Sequence, residues 1–519
     1  MLLAMTETAY LWVEGVDFDA TLFDTSDLST VRGSSLALLR LGDVVIGQLR
    51  RASDIAVDRV FNGASQAAYR LTGAMAAINA ATADALARLN AEDGRNGLPC
   101  AHLSIVHGLG FVGPAGADAA LKAAQAKARA MQQRKISVPP AVEAEAKRPC
   151  AFDRLRGAAV PIPLGSTDGK PDIKLASRSV AARRAFGRAQ RQAFYRDLLP
   201  AELLATAGHA VSDGDARFAD SFEEIVADPP DWVPAGARNK IAVLYLDGNG
   251  FGAVRDRIAK NKGLAAALTL FSDQLTALQR TRLLPGALRA APWDGSPKAR
   301  FETLLWGGDE VRFVVPAWRA LDLATAVMTD FASGGWSIEG ETLTFTGGLV
   351  IANYKTPIAS LVRATEDLVD TLKDADRDAS QIAIEVLESV EIPADGVVAG
   401  RSRLLGLAPG DPAAYFALAG ANLEETVEQI RGLKQSLPAS QLQRWLREGR
   451  TRRRFASNEN DQPVRDAIAA YENHGGGSGW VDRLTLPDGV HERSLVWDML
   501  LTSVLWDYVA KPPEAGADI

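Results

Sequence analysis

Cysteine is almost absent: the 519 residues hold only Cys100 and Cys150. That excludes a disulfide framework and any four-cysteine zinc site within one chain. No run of about 18 apolar residues occurs. The nearest approach, 494–510, is interrupted by Asp498 and Asp507, so no membrane partner is expected. The start, MLLAMTETAYLWVEG, lacks a basic region followed by a long apolar core. No signal peptide is therefore expected, and the default location is the cytoplasm. An excess of positive charge is also missing: Lys and Arg number 57 against 64 Asp and Glu, for a net charge of -7. A uniformly basic nucleic-acid coat is ruled out, although a local basic groove can sit inside a mildly acidic total. Aromatics are 7%, while 47% hydrophobic and 23% charged is ordinary globular composition. At roughly 150 residues per domain the chain has room for about three or four domains.

Hydrophobic patterning gives those domains an order. AYLWVEGVDFD reads as a strand ending near Asp17, followed by a helix over about 33–51. Two strand-like runs then flank Asn62-Gly63, a strong hairpin signal. A helix over 74–91, a strand from about Ala101 and a helix over 118–133 follow. Residues 240–373 repeat this succession: the strand IAVLYL, glycines and helices, RFETLLW, a tight turn, VRFVVPAW, a helix, LTFTGGLVIAN and a helix over 358–373. We read an internal duplication of one α/β module with an antiparallel hairpin, at about 8–130 and 238–385. The domain expectation is 1–135, 136–237, 238–385 and 386–519. The second is a proline-punctuated linker with a basic helix, and the last is mostly helical.

Two acidic turns in the second module carry the chemistry. Asp247 ends a buried strand and is followed by Gly248, Asn249, Gly250, Phe251 and Gly252; Asp309 and Glu310 follow the glycine turn Gly307-Gly308. Glycines let a ligand approach the backbone closely. Carboxylates converging at one sheet edge suit Mg²⁺, which takes a few carboxylates together with substrate phosphates. Two such ions support in-line displacement at phosphorus. Either turn alone also reads as ordinary turn chemistry. Lys373, near the end of its helix, can reach a triphosphate or simply face solvent at a helix C-terminus. Two arginine-rich stretches are either solvated helix faces or contacts for RNA phosphates. They contain Arg183, Arg184 and Arg188, and Arg452, Arg453 and Arg454.

The series LYLDGNGFG, LLWGGDE, TFTGGLVIAN, Pro357 and Lys373 resembles the palm-type nucleotide cyclases. These include the diguanylate cyclases and the polymerase/cyclase large subunit of type III CRISPR effector complexes. The second group covers more of the chain. DFDATLFDTSDLSTVRGSS resembles the opening of its first palm, with Arg32, Gly33 and Ser34 at the turn into a helix. FNGASQAAYRL resembles the hairpin of that palm, RPCAFDRLRGAA a remnant of its zinc-binding linker, and LPASQLQRWL its C-terminal helical domain. The resemblance implies an α/β fold of the α+β palm, ferredoxin-like kind: two palm modules, a linker module and a C-terminal helical domain.

Departures sharpen the expectation. The first palm keeps Asp17 and Asp19 but has Asn62-Gly63-Ala64-Ser65 where carboxylates are needed, so it is expected to be degenerate. Cys150 has no partner cysteine nearby, and no zinc is expected. No nuclease domain is expected ahead of residue 8. Diguanylate cyclases are the nearest rival, but Arg255 stands where they read guanine with Asn, and Val311 follows GGDE in place of Phe. The resemblance therefore implies ATP as substrate, converted to cyclic oligoadenylate. Asp247, the Gly248 carbonyl, Asp309 and Glu310 would hold two Mg²⁺ or Mn²⁺ ions. Gly250, Phe251 and Gly252 would lie against the phosphates, with Asn249, Gly307 and Gly308 beside them, and Lys373 would neutralise the triphosphate. Guide and target RNA and the CRISPR backbone and small subunits are the implied partners. Two alternatives stand beside this: a catalytically silent scaffold of the same ribonucleoprotein, and a stand-alone defence cyclase.

Overall fold

The structure, a computed structural model, describes residues 6–17, 21–90, 99–134, 148–167, 170–198, 218–291, 294–388, 392–393, 395–405, 416–451, 469–471, 473–474 and 499–511. Asp19, Arg452, Arg453 and Arg454 lie outside them. In chain order the first elements are β1 (Glu7–Val16), α1 (Leu28–Leu39), α2 (Leu41–Leu49), β2 (Ile55–Asn62), β3 (Gln66–Gly73), α3 (Met75–Asn90), β4 (Ser104–Phe111) and α4 (Gly116–Arg134). Then come β5 (Val160–Thr167), β6 (Lys170–Ala176), α5 (Arg178–Leu198), α6 (Phe222–Val226), β7 (Lys240–Gly248), α7 (Phe251–Lys262), α8 (Leu264–Leu278), α9 (Leu284–Ala290), β8 (Glu302–Gly307) and β9 (Glu310–Pro316). The rest are α10 (Ala320–Ala332), β10 (Ser337–Ile338), β11 (Glu341–Thr342), β12 (Phe345–Asn353), α11 (Ile358–Ala375), β13 (Gln381–Val386), α12 (Val397–Leu405), β14 (Phe416–Ala419), α13 (Leu423–Ser436) and α14 (Ala439–Thr451). Among the described residues no helix is long and apolar enough to cross a membrane.

The chain divides into two units. One comprises Met1–Leu198, Gly250–Gln279 and Leu304–Gly308; the other comprises Leu199–Asn249, Arg280–Thr303 and Asp309–Ile519. In the first, the strand order is β2-β3-β1-β4, and β1 lies antiparallel to both β3 and β4. Tyr10, Trp12 and Val16 of β1 join Phe61, Ala68 and Val106 in a core closed by Leu121 and Ala124 of α4 and Leu264 and Leu268 of α8. The first helix begins at Leu28, five residues before the expected Gly33, because the Asp27 carboxylate accepts from the Thr30 amide at 3.0 Å and caps it. Gly33 instead serves a helix crossing: a Cβ there would lie 1.8 Å from the Arg183 carbonyl oxygen of α5. The described part of the linker contains regular structure where its prolines suggest a connecting loop. Pro161 and Pro163 sit in a two-stranded β5-β6 hairpin, opposite Leu175 and Ile173. Such a ribbon has free edges where a missing N–H is tolerated.

In the second unit the strands run in the order β14-β13-β12-β7-β9. β7 is antiparallel to β9 and β12, β12 is parallel to β13, and β13 is antiparallel to β14. Neighbours along a strand face opposite sides. Gly347 meets Met328 of α10 and Gly348 meets the Thr365 carbonyl of α11, so helices cover both faces. That double cover explains why Ile241–Leu246 is apolar without alternation. The order β3-β1-β4 recurs as β9-β7-β12, with β2 and β8 preceding their partners in the chain. The duplication read from the sequence is thus present as topology. β14 is a strand within the segment expected to be mostly helical: its four residues show no period, and their pairing with β13 makes them a strand.

Candidate active site

Strand register builds the site. Antiparallel pairing sets Asp247 of β7 directly opposite Glu310 of β9 and opposite Thr346 of β12. Like charges directly across a ladder repel, so two carboxylates here call for a cation or for a proton on one of them. Two residues back on the same face, Tyr245 opposes Arg312. The Arg312 guanidinium lies 4.1 Å from the Tyr245 ring centroid and pairs with Glu366 of α11. Lys373, in the last turn of α11, places Nζ 2.7 Å from Asp247 Oδ2 and 3.1 Å from the Gly248 carbonyl oxygen. The Gly248 amide donates to the Asp309 carbonyl oxygen at 2.9 Å, tying the two acidic turns together. The Asp309 side chain stands exposed.

Electrostatics follow from this crowding. Burial raises the Glu310 carboxyl to about 7, aided by Asp247 and Asp309 and opposed by Arg312. Burial also raises Asp247, against the pull of Lys373. Tyr245 is raised by burial and by both carboxylates, so its hydroxyl stays a donor, 3.4 Å from Asp247 Oδ2. The donor chemistry fits a hard cation, and the Lys373 ammonium already bridges two of the oxygens assigned to one. In this arrangement no three His, Cys, Asp or Glu side chains among the described residues gather closely enough to hold a metal. The residues fit in kind, and in spacing they do not meet in this arrangement, in which Asp247 is held by Lys373.

The other expected residues divide by role. Asn249 is buried, and its amide is spent on Thr344, Thr346 and the Ala379 carbonyl. It holds the sheet end and has no side-chain group to offer a nucleotide. Gly250 (φ 63) leads into α7, whose first-turn amides lack intrahelical partners. The Phe251 ring is buried against Phe271 at 5.4 Å and so is not presented to a ligand. Gly307 (φ 133) and Gly308 (φ 61) adopt conformations that favour glycine.

The first palm carries a neutralised copy of the site. Its Gly15 amide donates to the Ser65 carbonyl at 2.8 Å, as Gly248 does to Asp309, and Glu14 pairs with Gln66 as Asp247 does with Glu310. Gly63-Ala64-Ser65-Gln66 therefore matches GGDE, one residue later than the Asn62–Ser65 turn read from the sequence. The counterpart of Asp247 is Glu14, not Asp17, which lies beyond the strand with φ 59. Gln66 donates to Glu14 at 2.7 Å and Trp12, the counterpart of Tyr245, donates at 3.1 Å. Gln66 and Ser65 stand where Glu310 and Asp309 do, and the Gln66 amide and Trp12 indole N–H groups both donate to Glu14, so negative charge does not accumulate.

The basic helix also needs correction. Arg183 is fully buried, bonded to Asp24, the Thr21 carbonyl and Ser34, and therefore unavailable to RNA. The run of arginines looked like a surface because the acidic partner lies 159 positions away. Arg184 is largely buried on Asp27, 3.3 Å away; Arg188 is exposed. Tyr245, Arg312 and Glu366 were missed. Counting back by two from Asp247 and forward by two from Glu310 finds the first pair, but nothing in the sequence points to Glu366.

Comparison with known proteins gives this geometry a family. Residues 240–381 match the model of the second palm domain of Cas10/Cmr2. No match is found among curated proteins. Similar solved structures include a Csm1-Csm4 cassette in complex with cA4, at 14% identity and TM-score 0.53, covering 96% of this chain and 70% of that one. The same cassette with pppApA gives 13%, 0.51, 96% and 69%, and with AMPPNP 14%, 0.50, 96% and 70%. At such identities the likeness shows the fold.

Proposed function

Since the chain is a Cas10-like protein carrying that second palm, we propose that it polymerises ATP and closes the product into cyclic oligoadenylate, as the RNA-activated large subunit of a type III CRISPR effector complex. The observation that carries this reading is the pairing of Asp247 with Glu310 across the ladder, with Lys373 on Asp247 and the Asp309 backbone tied to Gly248, at one end of the second-unit sheet. The crystal structures of the Csm1-Csm4 cassette with AMPPNP, pppApA and cA4 support it by analogy of fold.

Asp247, the Gly248 carbonyl, Asp309 and Glu310 would hold Mg²⁺ or Mn²⁺. Bound there, the ions lower the pKa of an attacking hydroxyl and neutralise charge at phosphorus. Lys373 blocks Asp247 until a triphosphate offers it stronger anionic partners. The amides opening α7 suit phosphate oxygens. Glu14, Ser65 and Gln66 leave the first palm suited to the acceptor nucleotide, whose position needs no ion cluster. Guide and target RNA and the backbone and small subunits are the proposed partners, and Arg188 is an open cation for a phosphate. Incubation with ATP and Mg²⁺ or Mn²⁺, with and without RNA, followed by mass spectrometry, tests the reading. Unchanged product yield in Asp309→Ala overturns it. A silent scaffold is the second reading, favoured by the closure of Lys373 on Asp247. It is distinguished by RNA and subunit binding without product.

A further inference from the structure

The Gly307-Gly308 turn launches Asp309 and Glu310 yet has no side chains to hold its own shape. At φ 133 and φ 61 its two glycines have a wide conformational range to lose. The restraint comes from elsewhere in the first unit. Gln279, 2% exposed, directs Nε2 to the Gly308 carbonyl oxygen at 2.9 Å. It stands where α8 gives way to a π-helical turn, Gln279–Leu283. Such one-residue expansions redirect side chains and recur at functional sites. The same helix grips the first-palm hairpin: the Thr269 hydroxyl bonds to the Val60 carbonyl, and the Ser272 hydroxyl to the Asn62 carbonyl at 3.0 Å. That hairpin backs the turn in person, since a Cβ on Gly307 would stand 2.0 Å from Ala64 Cβ.

We propose that Gln279 and Ala64 are positioning residues for the GGDE turn, so that the hairpin of the neutralised first palm has become a brace for the carboxylates of the second. The brace deepens the proposed function and rests on it for its catalytic consequence, but its structural half stands alone. Removing the Gln279 donor takes from the Gly308 carbonyl a hydrogen bond that fixes its orientation. The Asp309 carbonyl, which receives the Gly248 amide, follows directly in the chain.

The test uses the full 519-residue chain with Gln279→Met, which keeps bulk and removes the donor, and Ala64→Leu, which crowds Gly307 from the first palm. Neither residue is among the proposed ligands. Hydrogen exchange read by mass spectrometry should be at least about tenfold faster over residues 305–312 in both variants. Exchange across β7 and β12 and the urea midpoint should remain those of the wild type. ATP turnover should fall about tenfold in kcat with KM for ATP within about twofold, the mark of misplaced rather than missing groups. Unaltered exchange over 305–312 in both variants overturns the proposal, as does a loss spread evenly over the unit. If the wild-type chain turns over no ATP under any condition, the proposed function falls, and the exchange experiment still decides the brace.

Discussion

Replacing Glu310 by glutamine should stabilise the protein at neutral and alkaline pH. Glu310 titrates near 4.5 when unfolded and at about 7 in the folded chain. Below the lower value it is protonated in both states and costs nothing. Between the two, the unfolded chain has ionised while the folded chain keeps its proton, so folding takes up a proton and stability falls as pH rises. Above the upper value the cost is complete, at about 3 kcal/mol as an upper bound from the displacement. Glutamine keeps the shape and never ionises. The stability gap between variant and wild type should therefore widen by about 2 kcal/mol between about pH 5 and pH 8. Urea unfolding at several pH values, followed by tryptophan fluorescence, gives the gap; Trp318 and Trp336 are buried in the same unit. Mg²⁺ supplies the missing counter-charge, so it should narrow the gap at pH 8 by stabilising the wild type more than the variant. A gap independent of pH, or one that widens toward acid, refutes the argument that burial and neighbouring carboxylates hold Glu310 protonated.

Lys373→Met should raise affinity for Mg²⁺ in the absence of nucleotide, measured by titration calorimetry, while lowering ATP turnover; lower affinity for both would show that Lys373 is no plug. Ser65→Asp with Gln66→Glu should rebuild a carboxylate set around Glu14 and add a second divalent-cation site, seen as a raised binding stoichiometry for Mn²⁺. Arg183→Ala removes one of the two guanidinium groups that hold buried Asp24, which keeps Arg156, and should lower stability by about 2 kcal/mol in urea unfolding. Arg188→Ala should leave stability unchanged and weaken RNA binding in a salt-dependent manner, read by filter binding over a salt series.

Local order was legible from residues alone. Strand and helix periods, the Asn62-Gly63 turn and the LYLDGNGFG and GGDE segments placed the elements and the acidic turns in the right succession. Those signals are short-range: a β period or a glycine turn is decided within about ten residues. Asp247, Glu310 and Lys373 are legible as two acidic turns and a helix-end lysine, and the sheet brings them together through its register. Register was also what the sequence withheld. Only the pairing of β1 with β3 shows that Glu14, rather than Asp17, answers to Asp247, and only the fold separates buried Arg183 from exposed Arg188. Gln279 carries no motif; its meaning lies in a bond to Gly308 across 29 positions. Composition and pattern thus determined the succession of elements in the two modules and where the acidic turns lie in it. Tertiary structure decided which charges are neutralised and which remain exposed or crowded, because cross-strand pairing and burial join residues that no local pattern connects.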